Sequence, residues 1–211
     1  MAITFGAANS GAATIASVSI SLTIASGLGR FLVAQVSALE VGGAGHVTSI
    51  AWNTSEALTQ QILQRSTTGS ANYWTEIWTL VNPSAVSSNV VFTFDGLQTG
   101  AVGVMSYQGV SPSAPIRSTA GADGRSVTIA SAVGDLVIGS AVDATTQLTV
   151  GADQTERWST SDSISTWGDG SDEAGAASVV HSYTGGAGAA AVAAISVIPA
   201  VEEGFMFHYY R

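Results

Sequence analysis

The chain has 211 residues, 46% of them hydrophobic and only 10% charged, with a formal net charge of −9. So much apolar side chain and so few charges, against the roughly 25% of an ordinary soluble domain, exclude disorder. All six cations are arginines, at 30, 65, 117, 125, 157 and 211, facing fifteen acids. The Lys and Arg clusters that neutralise phosphates are missing, so nucleic acid is not an expected partner.

Without cysteine there is no disulfide framework, no thiolate metal site and no cysteine nucleophile, and packing alone must hold the fold. A chain of this length buries about 70% of its unfolded surface in one core, which makes a single large domain the default. Met1 to Gly6 lack the basic start and apolar core of a secretory signal. Ser, Thr, Gln and Gly interrupt every apolar run before it reaches membrane-spanning length, so a membrane is not expected as a partner either.

Taken in chain order, apolar residues recur mostly at every second position. Val18, Ile20, Leu22 and Ile24 alternate with Ser19, Ser21 and Thr23, which puts one face on a core and one in water. Further strands are expected at Arg30 to Leu39, Val47 to Trp52, Leu58 to Leu63, Tyr73 to Val81, Val90 to Phe94 and Ala101 to Tyr107. The second half adds Ser126 to Ser131, Asp135 to Val142, Gln147 to Val150, Thr155 to Trp158, Ser178 to Tyr183 and Ala191 to Ile198. Turn signals separate them, among them Ser26-Gly27, Asn82-Pro83, Asp95-Gly96, Asp123-Gly124 and Gly134-Asp135.

The two halves resemble each other. Thr23-Ile-Ala-Ser26 followed by Gly29 to Val33 returns 105 residues later as Thr128-Ile-Ala-Ser131 followed by Gly134 to Ile138. Val90 to Gly96 is echoed by Val179 to Gly185, and Ala101 to Ser106 by Ala191 to Ser196. Two similar sets of strands, each with one apolar face, most economically make an all-β antiparallel two-sheet sandwich, jelly-roll-like, over residues 1–199. Two tandem sandwiches are set against this by their size, about 90 residues each. Residues 200–211 form a tail, in which six of the last seven side chains are aromatic, imidazole or thioether. Phe205, Met206, Phe207, His208, Tyr209, Tyr210 and Arg211 are the candidate partner-binding residues, because such a segment left in water is sticky.

Chemistry is sparse. His46, His181 and His208 have no zinc spacing, and His181 stands where its counterpart is Phe92, which reads as a satisfied core or edge residue. No G-x-S-x-G elbow occurs, so no serine nucleophile is assigned. Gly186-Ala-Gly188-Ala-Ala-Ala191 matches G-x-G-x-x-A only formally, since a strand follows it and not a helix. Asp162 to Glu173 gathers four carboxylates around Trp167, but without the spacing of a calcium loop, and reads as a solvated acidic loop. Trp158 and Trp167 are the candidates for stacking on a ligand such as a sugar, and in Tyr73 to Leu80 one face is expected to be core. Neither a metal nor a cofactor is expected.

Arg30 to Ala34, Val47 to Asn53, Glu76 to Pro83, Val104 to Val110 and Gly134 to Ile138 together resemble a β-sandwich domain that recurs in tailed-bacteriophage virion proteins and in bacterial surface or secreted proteins. The resemblance implies a non-enzymatic architectural or adhesive module and carries no active-site residue. The lone domain, the lack of a signal and the aromatic tail depart from the large secreted versions and favour a virion structural protein assembled in the host cytoplasm, and the acidic lysine-free surface with that tail points to a capsid decoration or cement protein. Its expected partners are the major capsid protein or other virion subunits, and copies of itself in a homo-oligomer. The alternative is a carbohydrate- or receptor-binding jelly roll of a tail fibre or surface protein.

Overall fold

The computed structural model describes residues 1–40, 46–67, 72–96 and 99–201. Seventeen β-strands and no helix occur among them, all paired antiparallel. The first half holds β1 (Thr4–Ala13), β2 (Ser17–Thr23), β3 (Phe31–Glu40), β4 (Val47–Trp52), β5 (Glu56–Ala57), β6 (Thr59–Arg65), β7 (Asn72–Val81), β8 (Ser87–Phe94) and β9 (Thr99–Gln108). The second holds β10 (Ile116–Asp123), β11 (Ser126–Ala130), β12 (Leu136–Asp143), β13 (Thr149–Val150), β14 (Thr155–Ser161), β15 (Trp167–Ala174), β16 (Ser178–Thr184) and β17 (Ala190–Val197).

They form four sheets. A large sheet of order β1-β9-β3-β7-β6 and a small sheet β2-β8-β4-β5 make the first half. The second repeats the order, with β10-β17-β12-β15-β14 and β11-β16-β13. Even the irregularities recur: β1 is bulged between Phe5 and Ala7 and β10 between Ile116 and Ser118, while β6 is bulged between Gln60 and Ile62 and β14 between Glu156 and Trp158. A bulge is a specific local device, and its return at the same place in both halves carries the duplication beyond shared composition.

The all-β antiparallel fold and the duplication are as the sequence implies, but the sheet count differs from the expectation. Each half closes a sandwich of its own, and the two sandwiches stack through their large sheets. Leu32, Ala34 and Val36 of β3 pack against Ile20, Ile50 and Phe92 of the first small sheet. Val137, Val192 and Ala194 pack against Ile129 and Val179 of the second. Between the large sheets lie Phe31, Val33, Met105 and Tyr107 from one side and Ile138, Trp158, Ile195 and Val197 from the other.

This layering explains the sequence pattern. Outer strands such as β2 alternate exposed and buried along their whole length, while β3 and β17 are buried on both faces and read as mostly apolar runs, broken by Gln35 and Ser37 in β3 and Ser196 in β17. It also settles the two faces of β7: Trp74 lies in the core toward the small sheet, Ile77 in the core toward the other half, and both are fully buried.

Polar side chains stitch the middle layer. Gln35 donates from Nε2 to the Gly139 carbonyl at 3.0 Å and accepts from Trp158 Nε1 at 2.7 Å. Ser37 donates to the Ala141 carbonyl at 2.9 Å, and the Thr75 and Ser140 hydroxyls meet at 2.7 Å. Gly103 and Gly170 make room for the Trp158 ring, since a Cβ on either would lie 2.0 Å from it.

Candidate functional site

The acidic segment is not a solvated loop. Residues 167–174 are β15, a strand of the second large sheet lying between β12 and β14. Even-numbered residues face the other half: Gly168 is against Ser37 and Ala101, Gly170 against Trp158 and Gln35, and Asp172 accepts from the Tyr107 hydroxyl at 2.8 Å. Odd-numbered residues face the small sheet, where β16 carries His181 and Tyr183 in the places of Phe92 and Phe94. A run whose one large apolar residue is Trp167 enters the core with two of its three acids, Asp172 and Glu173, answered by cationic or imidazole partners.

Asp172 is answered by Arg157, whose Nε and Nη2 reach its two oxygens at 2.8 and 2.9 Å. The same guanidinium lies 4.0 Å from the centre of the Phe5 ring. Glu173 is answered by His181 Nδ1 at 2.6 Å. Ser171 Oγ lies 3.0 Å from His181 Nε2, 2.9 Å from the Tyr183 hydroxyl and 3.2 Å from Gln154 Oε1. The Ser171–His181–Glu173 order has the spacing of a nucleophile, a base and an orienting acid. Ser171 and His181 are nonetheless completely buried between two sheets, Ser171 sits mid-strand, and two further groups hold its hydroxyl. The string works as packing in polar form. Sequence reasoning missed it because Gln154 just before β14, Ser171 and Glu173 on β15 and His181 and Tyr183 on β16 meet only once the sheets stack.

Asp169 has no such answer. It is fully buried, and neither carboxylate oxygen has a hydrogen-bond partner. Burial and the neighbouring Glu156 carboxylate push it up to about 8, opposed by the Ser159 hydroxyl. Burial likewise raises Glu76. The unfolded reference for Asp is about 3.9, so folding takes up a proton between the two values. The stability tied to Asp169 is therefore complete below pH of about 4 and is lost as pH rises through about 8. Melting temperature measured from acid to mildly alkaline pH is expected to fall across that window. Asp169→Asn is expected to flatten the fall, leaving the part that Glu76 contributes.

The five arginines among the described residues are spoken for within the fold. Arg117 pairs with Asp135, Arg125 with Asp143, Arg157 with Asp172 and Arg65 with Glu40, while Arg30 donates to the Pro83 and Gly27 carbonyls.

Of the two residues expected to stack on a ligand, Trp158 is 4% exposed and belongs to the core between the halves, so its ring does not reach solvent. Trp167, at the start of β15, is half-buried. Phe205, Met206, Phe207, His208, Tyr209, Tyr210 and Arg211 lie outside the described residues.

A different surface stands out at one end. Leu28 and Val133 are counterparts, 105 positions apart, each at the tip of the turn leading into the central strand of its half. They are 74% and 91% exposed. The chain passes between them, since the Leu28 carbonyl accepts from Gly109 at 3.0 Å, Val110 bridges Pro199, and Gly134 lies against the Pro199 ring. The Met1 amino group holds the Ala200 carbonyl at 2.9 Å, and Val201 beside it is also exposed. Surface depressions elsewhere are shallow, such as the one between Asn9, Leu22 and Ser87.

No protein-family model matches the chain, and neither a curated protein nor a solved structure matches it.

Proposed function

We propose that this chain is a non-enzymatic structural module of a phage particle, a decoration or cement protein that adheres to neighbouring subunits, the major capsid protein or its own copies. The observation that carries the reading is the paired display of Leu28 and Val133 on a block whose polar chemistry is turned inward. Apolar side chains at 74% and 91% exposure are available for a partner to cover, and duplication has placed one on each half. Successive strands of each half alternate between its large and small sheets over β1 to β4 and again over β7 to β9, which we read as a jelly roll, an architecture used in capsid and lectin domains. Function is argued here from the surface, since such a fold hosts many roles.

Contact would act by burial over an area on the order of 800 Å² per partner, multiplied over a shell. Co-sedimentation of the full chain with purified particles tests this, together with a low-resolution image locating the subunit. The wild-type chain is expected to be retained at regular positions. The Leu28→Ser, Val133→Ser double variant should keep its melting temperature and lose retention about tenfold or more, the equivalent of about 1.4 kcal/mol. A monomer that no particle retains would overturn the reading.

A further inference from the structure

The duplication supplies an internal comparison. Val36 faces Glu76 across β3 and β7, and its counterpart Ala141 faces Asp169 across β12 and β15, so the two buried acids occupy the same place in the two halves. Around Glu76 the neighbours are N–H donors, with Trp78 Nε1 at 2.5 Å and the Gln60 amide beside it. Around Asp169 both donors are gone. Ser171 stands in the place of Trp78 and is engaged with His181, Tyr183 and Gln154. Glu156 stands in the place of Gln60 and brings a second carboxylate.

We propose that Asp169 and Glu156 form a binding site for a hard divalent cation, calcium by preference, on the small-sheet side of β14 and β15. A buried carboxylate with no donor at hydrogen-bonding distance and only the Ser159 hydroxyl nearby to oppose its burial keeps most of the penalty of leaving water, which a positive charge or a proton relieves. The oxygens at hand are the buried Asp169 carboxylate, the Ser159 hydroxyl opposite it across β14 and β15, and the exposed Glu156 carboxylate opposite Ser171. No group of three or more His, Asp or Glu converges among the described residues, so water completes the shell. Calcium accepts such a mixed and flexible set of six to eight oxygens, whereas magnesium demands a tighter octahedron. The net charge of −9 favours cations at the surface. With only two charged ligands the affinity falls on the order of 10⁻⁴–10⁻³ M.

The test uses the full chain and Ca²⁺ alone, at constant ionic strength. The melting temperature is expected to rise by roughly 3–6 °C at about ten times the Kd. Tb³⁺, which seeks the same oxygen ligands, should give luminescence sensitised by Tyr183 or Trp158 and lose it to added Ca²⁺. Asp169→Asn and Glu156→Gln should each abolish both signals. Glu156 is exposed, so its variant keeps the test sharp should the buried substitution impair folding. A wild-type chain indifferent to Ca²⁺ overturns the proposal and leaves the pair sharing a proton. So does a Ca²⁺ response that both variants retain, which would be bound elsewhere.

Discussion

Replacing Trp158 by alanine is expected to destabilise the protein by about 3–5 kcal/mol, the usual cost of truncating a buried tryptophan. The ring fills the space between the two large sheets against Gly103 and Gly170, and its Nε1 is the donor that Gln35 Oε1 accepts at 2.7 Å. Truncation leaves a cavity lined by backbone and one buried acceptor without its donor, two penalties that add. In a chain of this size the melting temperature should drop on the order of 10 °C. Urea denaturation checks the free energy directly. A change below about 1 kcal/mol would mean that the halves do not depend on this contact, because surface substitutions stay in that range.

Replacing Asp172 by alanine is expected to cost a similar amount, about 3–5 kcal/mol, because it strips one partner from a buried ion pair. Arg157, with 22% of its side chain exposed, would keep only part of its compensation, and the Tyr107 hydroxyl would lose its carboxylate acceptor and keep only the weak Met105 Sδ at 3.4 Å. Tyr107→Phe removes the hydroxyl alone and should cost only about 1–2 kcal/mol. Equal losses from both substitutions in denaturation experiments would show that the ion pair adds nothing beyond the hydrogen bond.

Reading the sequence recovered those strands whose physics is local. In the outer sheets, β2 and β16 alternate with period two and are visible at once. β3 and β17 are visible as apolar runs. β1 and β10 are not, because Ala, Gly, Ser and Asn dominate them and pairing with β9 and β17 alone makes them strands. β15 was hidden more deeply: its core credentials are glycines that admit a tryptophan from β14 and two acids matched by Arg157 of that same strand and by His181 of β16. The repeat was legible, but its architecture was not. Each matching segment says that the halves are alike, and only the facing of the two large sheets, set by Val33, Met105, Ile138 and Ile195, says that they stack. For the same reason Trp158 looked like a ligand-binding aromatic. Position 158 in sequence carries no sign that position 35 lies beside it.

Carrying both copies in one chain has a consequence that two identical subunits could not realise. In a symmetric homodimer any substitution appears on both sides of the axis. Here Gln60 is a donor while Glu156 in its place is an acceptor, with the bulge and register around them unchanged. The two copies therefore carry different interiors, N–H donors beside Glu76 and a second carboxylate beside Asp169, on scaffolds that hold each other.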